Sequence, residues 1–287
     1  MRDTPDVIDQ RAARGRGMPG GARVGGGVGI VGLLVFLAIQ LLGGGSGGAA
    51  FDVDNQFGDQ VEAPGSGAIP AAQDPERDLK DFSAYVFTRA QRTWERTFAE
   101  QGQPYERAKL VLYRDGVSTG CGSASSAVGP FYCPADQRVY LDLSFYRDMA
   151  SQLGAEGDFA WAYVIAHEVG HHVQRQLGTS DEVRRLSSED PGEANELSVR
   201  LELQADCYSG VWANSVYTAG DLQEGDVEEA TTAAAAVGDD RLQGRSSGRV
   251  DPDSFTHGTS EQRTRWFEKG REGGEPAACD TFSADDV

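Results

Sequence analysis

The chain has 287 residues and a formal net charge of −19 at pH 7. This length suffices for one domain of about 200 residues with a sizeable core, together with smaller appendages. So large an acidic excess argues against a nucleic-acid-binding surface, because such a surface needs clustered Lys and Arg to neutralise phosphates. We therefore expect a neutral or basic partner and no nucleic acid.

The N-terminal region combines a basic start with a long apolar run. Residues 1–23 contain five arginines and three aspartates, and residues 24–42 read VGGGVGIVGLLVFLAIQLL. Roughly 20 apolar residues span a bilayer as a helix, so this run predicts a retained transmembrane anchor. The positive-inside rule then places residues 1–23 in the cytoplasm as a basic tail and the rest of the chain outside it. A cleaved signal peptide fits the run poorly because of its length, and its glycines disfavour a buried soluble helix.

A flexible linker is predicted after the apolar run. Residues 43–78 are rich in Gly, Ala, Pro and Ser and contain few large apolar side chains. Such a composition buries too little surface to offset the entropy of ordering the chain. We therefore place the folded domain at residues 79–287, tethered to the cell membrane by a single pass.

Within that domain, hydrophobic periodicity predicts helices around a small amount of strand. Apolar residues recur every three or four positions over residues 81–101, which is typical of an amphipathic helix. Short β-branched or aromatic runs bounded by turn residues predict strands. The predicted strands are 109–113 and 138–145, and the later helices are 158–177, 193–216, 226–237 and 260–271. The fold class is α+β, mainly helical with a small sheet. The strand 138–145 either presents an edge to an extended peptide or is an ordinary sheet strand.

The predicted helix 158–177 carries the chemistry, in the sequence HEVGHH. His167 and His171 are four residues apart and therefore project from one face of a helix, close enough to bind one ion. Glu168 lies beside them and can activate a water as general base. This is the H-E-x-x-H pattern of zinc hydrolases. A coincidental cluster of histidines on a helix surface is the alternative, but the apolar run FAWAYVIA before the motif indicates a largely buried helix.

A catalytic zinc site needs a third protein ligand and one open position. The extended motif H-E-x-x-H-x-x-G-x-x-H fails here, because Gln174 and Leu177 replace its glycine and its third histidine. His172 points away from His171 and is a poor ligand. A ligand from a later helix is therefore required.

Glu202 is the best candidate for that ligand. It lies in the amphipathic sequence RLELQAD, one helical turn before Asp206, so the two carboxylates share a face. Asp206 would accept the free ring N–H of a ligating histidine and hold its orientation. A solvated helix charge is the alternative for Glu202. Glu193 and Glu196 are the fallback ligands.

Four cysteines are present: Cys121, Cys133, Cys207 and Cys279. A disulfide between the first two would close a short loop, and one between the last two would tie a helix to the C-terminal tail. An oxidising compartment permits both bonds. Four buried thiols are the alternative.

Taken together, HEVGHHVQ, RLELQADCYSGVWA and FTHGTSEQR resemble the putative neutral zinc metallopeptidases of bacterial membranes, which are themselves similar to gluzincins. The resemblance extends from the basic N-terminus to the C-terminal tail. It implies a zincin-like metallopeptidase domain with Zn²⁺ as cofactor, Glu202 as third ligand and Asp206 in support. It also implies hydrolysis of a peptide or protein substrate through a zinc-bound water, with Glu168 as general base.

Two questions remain open at this level. In gluzincin-like peptidases a downstream His or Tyr often stabilises the oxyanion, and His257 could do so here as a second catalytic residue. Equally, His257 could be a loop histidine that caps the following helix, with Ser260 as its N-cap and Arg263 as a structural pairing residue. The domain could also be a non-catalytic, zinc-stabilised binding or chaperone-like module, in which a fourth protein ligand, often Cys, would close the metal site.

Overall fold

The computed structural model describes residues 5–12 and 69–287. The predicted transmembrane helix at residues 24–42 lies outside the described residues, as does most of the predicted linker. Within the described ranges, no helix has both the length and the apolar character needed to span a membrane.

The described residues form a mainly helical α+β domain with a small sheet, which confirms the predicted fold class. The strands are β1 (Val7–Asp9), β2 (Lys109–Tyr113), β3 (Gly116–Thr119), β4 (Gly122–Ser125), β5 (Phe131–Cys133) and β6 (Arg138–Asp142). The helices are α1 (Arg77–Glu100), α2 (Phe145–Asp148), α3 (Asp158–Leu177), α4 (Thr179–Glu189), α5 (Ala194–Thr218), α6 (Asp226–Ala236), α7 (Asp239–Ser247) and α8 (Ser260–Gly273).

The larger sheet has the strand order β1-β2-β6-β5, with β1, β2 and β6 parallel and β5 antiparallel. Its side chains alternate between two buried faces, as the pleat requires. Leu110, Leu112 and Leu141 pack into the main helical core. Tyr113 and Tyr140 belong to a smaller apolar cluster on the other face. Because β6 lies between two strands, the idea that it offers an edge to a peptide is wrong; β5 is the edge strand on that side of the described sheet.

Helix α3 lies at the centre of the helical layer and contacts α1, α5 and α6. Every residue from Phe159 to Gln174 is buried, which explains why its sequence is apolar on nearly all sides before the histidines. Helices α5 and α8 pack with their backbones in close approach. A Cβ atom on Gly210 would lie 2.1 Å from the Phe267 carbonyl oxygen, and one on Gly270 would lie 2.0 Å from that of Cys207. Glycine at both positions brings α8 against the helix that carries Glu202.

Two disulfides join Cys121 to Cys133 and Cys207 to Cys279. The prediction of these pairs is confirmed. The first closes the segment that contains the hairpin strand β4, and the second fixes the C-terminal tail to α5. All four cysteines of the chain are therefore oxidised.

The predicted domain boundaries need correction. Residues 5–12, which we assigned to a separate basic tail, contribute β1 to the sheet of the domain. The C-terminal boundary of the predicted linker, residue 78, is also too late. Asp74 is buried in an ion pair with Arg11, and α1 begins at Arg77. Sequence composition cannot detect this arrangement, since it depends on pairing between residues about 100 positions apart.

Several elements differ from the predicted ones. Strand β6 ends at Asp142 rather than at residue 145, because the Asp142 carboxylate accepts hydrogen bonds from the backbone N–H groups of Asp115 and Ser144 and turns the chain. The hairpin β3–β4 and the helices α4 and α7 were not predicted. These elements are short or largely polar, so their hydrophobic period is weak.

Candidate metal centre

Two imidazoles and one carboxylate converge at the contact between α3 and α5. The Nε2 atom of His167 lies 3.2 Å from Glu202 Oε2, and the Nε2 atom of His171 lies 3.3 Å from Glu202 Oε1. One potential ligand atom from each of the three residues lies within 4.8 Å of the others. The histidines are each 7% exposed and Glu202 is 1% exposed. A carboxylate buried so deeply is not a solvated helix charge.

The other candidate ligands lie elsewhere. His172 is turned away from the three residues: its Nδ1 lies 3.0 Å from the Tyr132 hydroxyl and its Nε2 lies 2.6 Å from the Glu106 carbonyl oxygen. The fallback residues Glu193 and Glu196 are exposed. The structure therefore brings Glu202, and neither of the fallback carboxylates, to the histidine pair.

Both histidines are oriented through their second ring nitrogen. His167 Nδ1 lies 2.8 Å from Asp206 Oδ1, and His171 Nδ1 lies 2.9 Å from Gln174 Oε1. An Nδ1–H that donates to these acceptors leaves the Nε2 lone pair directed at Glu202, as metal ligation requires.

Gln174 is an orienting residue that sequence analysis did not identify. Its amide nitrogen donates to the Leu201 carbonyl oxygen at 2.6 Å and to Gln204 Oε1 at 3.1 Å, so the orientation of its side chain is set by α5. The three-residue spacing from His171 on one helix was the available signal. In the sequence, Gln174 stands out only as a mismatch to the glycine of the extended motif.

Asp206 is the centre of a buried polar network behind His167. Arg263 on α8 donates Nε to Oδ2 at 2.8 Å and Nη2 to Oδ1 at 2.9 Å, and the Tyr163 hydroxyl donates to Oδ1 at 2.5 Å. Burial alone would raise the pKa of Asp206, but Arg263 and His167 outweigh it and hold that pKa below its usual value. Asp206 is therefore an anion with one orientation.

The electrostatics of the three-residue cluster favour ion pairs in the absence of metal. Burial opposes the charged form of His167, yet Asp206 and Glu202 raise its pKa to about 9. Burial also opposes the charged form of His171, and Glu202 raises its pKa. Although burial works against it, the two histidines hold the pKa of Glu202 well below its usual value. A cation at this position would replace protons that the site already attracts.

Glu168 lies on α3 beside the cluster and is 7% exposed. Its Oε2 atom is buried and has no hydrogen-bond partner among the described residues. Burial raises the pKa of Glu168, and the neighbouring histidines only partly oppose that effect. A carboxylate that is unpaired and made more basic suits a proton acceptor.

His257 lines the same cavity as Glu168 and lies in the loop before α8. The cavity has a volume of about 500 Å³, including space open to solvent, and its polar lining comprises His167, Glu168, Glu202, His257, Arg263 and Tyr163. His257 Nε2 has no partner within residues 5–12 and 69–287. Its Nδ1 faces Asp239 Oδ1 at 3.3 Å, while Asp239 Oδ2 accepts the backbone N–H of His257 at 2.7 Å.

Asp239 was not recognised from the sequence. It is buried at the start of α7, and it also accepts the backbone N–H of Thr256 at 2.7 Å. Burial would raise the pKa of Asp239, but His257 and the backbone N–H groups lower it. The carboxylate thus sets the position of the His257 loop.

The cluster fits zinc by the chemistry of its donors. Two imidazole nitrogens and one carboxylate form a ligand set of catalytic zinc sites, with one coordination position left for water or substrate. A closed structural site would need another protein ligand, commonly a thiolate. Cys207, one residue after Asp206, is bonded to Cys279 and cannot supply one.

Comparisons with known proteins agree with this geometry. Residues 1–282 match the family model described as "Putative neutral zinc metallopeptidase". The chain is 55% identical over 208 residues to the uncharacterized protein YpfJ of Escherichia coli K12, which covers 72% of each sequence. It is 45% identical over 194 residues to the uncharacterized protein Rv2575 of Mycobacterium tuberculosis H37Rv, which covers 64% of this chain and 65% of the relative. No solved structure matches the chain.

Proposed function

Because the chain belongs to the putative neutral zinc metallopeptidase family, we propose that it hydrolyses peptide bonds in peptides or proteins with zinc bound by His167, His171 and Glu202. One observation carries the proposal. His167 and Glu202 of the three-residue cluster line the same cavity as Glu168, whose buried Oε2 is unpaired among the described residues.

Bound zinc would supply a Lewis acid that acidifies water and polarises a carbonyl oxygen. Glu168 would accept the proton of the attacking water and return it to the leaving nitrogen, which suits its raised pKa. Asp206 and Gln174 would hold the two imidazoles with Nε2 toward the ion. Arg263 would keep Asp206 ionised and prevent its rotation.

We assign His257 to the stabilisation of negative charge on the substrate oxygen. An Nε2–H group at this position can donate a hydrogen bond into the cavity. Its unpaired Nε2 and the Asp239 carboxylate beside its Nδ1 support this role over that of a loop residue.

Apolar walls of the cavity support a peptide with a hydrophobic side chain next to the scissile bond. The apolar lining comprises Phe145, Val164, Val237 and Leu242, together with Pro130, which lies just before the edge strand β5. An extended substrate could pair its backbone with that strand.

The test compares Glu168→Gln with Glu196→Gln in the full chain. Glu196 is exposed and pairs only with Arg200 among the described contacts, so it is a matched control on a neighbouring helix. We expect Glu168→Gln to keep stoichiometric zinc and to lose casein hydrolysis by roughly 100-fold or more. The control should retain both, and His167→Ala should lose both. Full activity of Glu168→Gln would contradict the mechanism.

The alternative is a zinc-stabilised module without catalysis. The oxidised Cys207 disfavours it, since no thiolate from α5 can close the site. The two disulfides also support an extracytoplasmic domain, because such bonds persist in oxidising compartments. The non-catalytic module would be favoured if Glu168→Gln binds zinc and the unmodified chain cleaves no member of a peptide library.

A further inference from the structure

The N-terminal strand β1 is docked on the domain by backbone pairing. Val7, Ile8 and Asp9 lie in parallel register with Leu110, Val111 and Leu112 of β2. The Leu110 N–H donates to the Asp6 carbonyl oxygen at 2.7 Å, and the Gln10 N–H donates to the Leu112 carbonyl oxygen at 2.8 Å. β1 therefore covers the edge of β2 that would otherwise be unpaired.

Arg11 makes this docking specific. Its side chain is 0% exposed and its guanidinium donates to three carboxylates: Asp9 at 2.8 Å, Asp74 at 3.0 Å and Glu76 at 3.3 Å. Burial works against ionised Asp74, but Arg11 holds the pKa of that carboxyl below its usual value. Since a buried charge is costly unless it is paired, Arg11 and Asp74 each require the other.

A second pair of contacts fixes the start of the segment. The Asp6 carboxylate accepts hydrogen bonds from Arg107 Nε at 2.8 Å and from Lys109 Nζ at 2.8 Å. Opposite charges thus flank the strand at both ends, and a register shift would separate them. If a basic tail only associated unspecifically with an acidic domain, Asp6 would not contact two cations and Arg11 would not be buried among carboxylates.

The docking constrains how the chain can meet a membrane. Residues 5–12 and residues 69–287 are parts of one sheet and core, so both described ends of the stretch between them lie on the same side of any membrane. A chain with this property crosses a bilayer an even number of times. The apolar run 24–42 has the length for one crossing of roughly 20 residues and not for two.

We propose that residues 5–12 lie in the same compartment as the metal-binding domain and serve as its edge strand, so that residues 24–42 do not carry the chain across the membrane. This replaces the single-pass arrangement, with a cytoplasmic N-terminus, that the sequence predicts. The proposal does not depend on the chain being a peptidase. It allows membrane association of the apolar run from one face of the bilayer.

The first experiment compares the accessibility of two introduced cysteines in the full chain. Pro5 and Tyr217 are exposed, and all four native cysteines are bonded. Pro5→Cys and Tyr217→Cys would each be expressed in bacteria, and spheroplasts would be treated with a membrane-impermeant maleimide before and after permeabilisation. We expect both cysteines to be labelled in the same condition. Labelling of one before permeabilisation and of the other only afterwards would overturn the proposal.

The second experiment tests the docking itself by thermal unfolding of the purified full chain. Arg11→Glu should lower Tm by several degrees, and Arg11→Glu combined with Asp74→Arg should recover part of that loss, since Asp9 and Glu76 would still face the new carboxylate. Arg77→Glu is the matched control, because Arg77 is 57% exposed and pairs only with Asp81 in the described contacts. A Tm for Arg11→Glu equal to that of the control would overturn the proposal.

Discussion

His167 shows how a single residue in the metal centre depends on three helices. It lies on α3, faces Glu202 of α5 with Nε2, and contacts Asp206 with Nδ1 at 2.8 Å. Asp206 is in turn held by Arg263 of α8. The motif H-E-x-x-H therefore supplies the two imidazoles, while Asp206, 39 positions from His167, sets the orientation of that imidazole.

Asp206→Asn should weaken zinc binding by about 10–100-fold, because loss of an outer carboxylate commonly has an effect of this size. An amide lacks the charge that pairs with Arg263 and His167. Competition with a fluorescent zinc chelator would measure the affinity. The control is Asp142→Asn, a substitution at a buried aspartate at the end of β6 whose carboxylate accepts the Asp115 and Ser144 backbone N–H groups. Equal zinc affinity of the two variants would contradict the assignment.

His257→Gln should lower kcat by about 10–1000-fold with zinc content unchanged, since a lost oxyanion donor mainly affects the transition state. Steady-state kinetics and metal analysis of the same preparation would separate the two effects. His172→Gln tests whether any buried histidine gives this result, because His172 lies outside the cavity. If the role of His257 were purely structural, His257→Gln would lower Tm and leave kcat of the folded fraction unchanged.

At the scale of elements, the packing of α5 against α8 supports the metal centre that forms between α3 and α5. It brings Arg263 of α8 to Asp206 of α5 and supports the loop of His257. The approach depends on Gly210 and Gly270, where a side chain would overlap the backbone of the other helix. A glycine within a helical pattern usually only lowers helix propensity, so its packing role was not evident from the sequence.

Gly270→Ala should lower Tm by about 5–10 °C, because a Cβ 2.0 Å from the Cys207 carbonyl oxygen forces the helices apart. Gly273→Ala, on the same helix, is the matched control. Its Cβ would meet only the Ala278 side chain at 3.7 Å, which is an ordinary contact. Differential scanning fluorimetry would measure both, and equal Tm values would show that the close approach is not required.

For the whole molecule, stability and metal binding respond to pH in opposite directions. In the metal-free protein the pKa of His167 is raised to about 9 from an unfolded value of 6.5. A raised pKa contributes stability that is fully present below pH 6.5 and is lost as the pH rises to about 9. Zinc needs the neutral imidazole, so its affinity should increase over the same interval.

We therefore expect the Tm difference between zinc-loaded and metal-free protein to widen from pH 6.5 to pH 9. Thermal scans with stoichiometric zinc or with a chelator, at several pH values in this interval, would measure it. His167→Ala, which should not bind zinc, should show no Tm difference at any of these pH values. A difference that narrows as the pH rises would contradict the linkage.

The sequence by itself determined the helix 158–177, the cofacial pair His167 and His171, and the candidacy of Glu202, because helical periodicity is a local property. It also suggested the pairs Cys121–Cys133 and Cys207–Cys279 beside the alternative of four buried thiols, and the structure confirms the pairs. Only the tertiary structure decided that Asp206 contacts His167 and Arg263, that Asp239 faces His257, and that residues 5–12 belong to the sheet. These contacts join residues 18 to about 100 positions apart, and they exist only because helices and strands that are distant in the chain pack together.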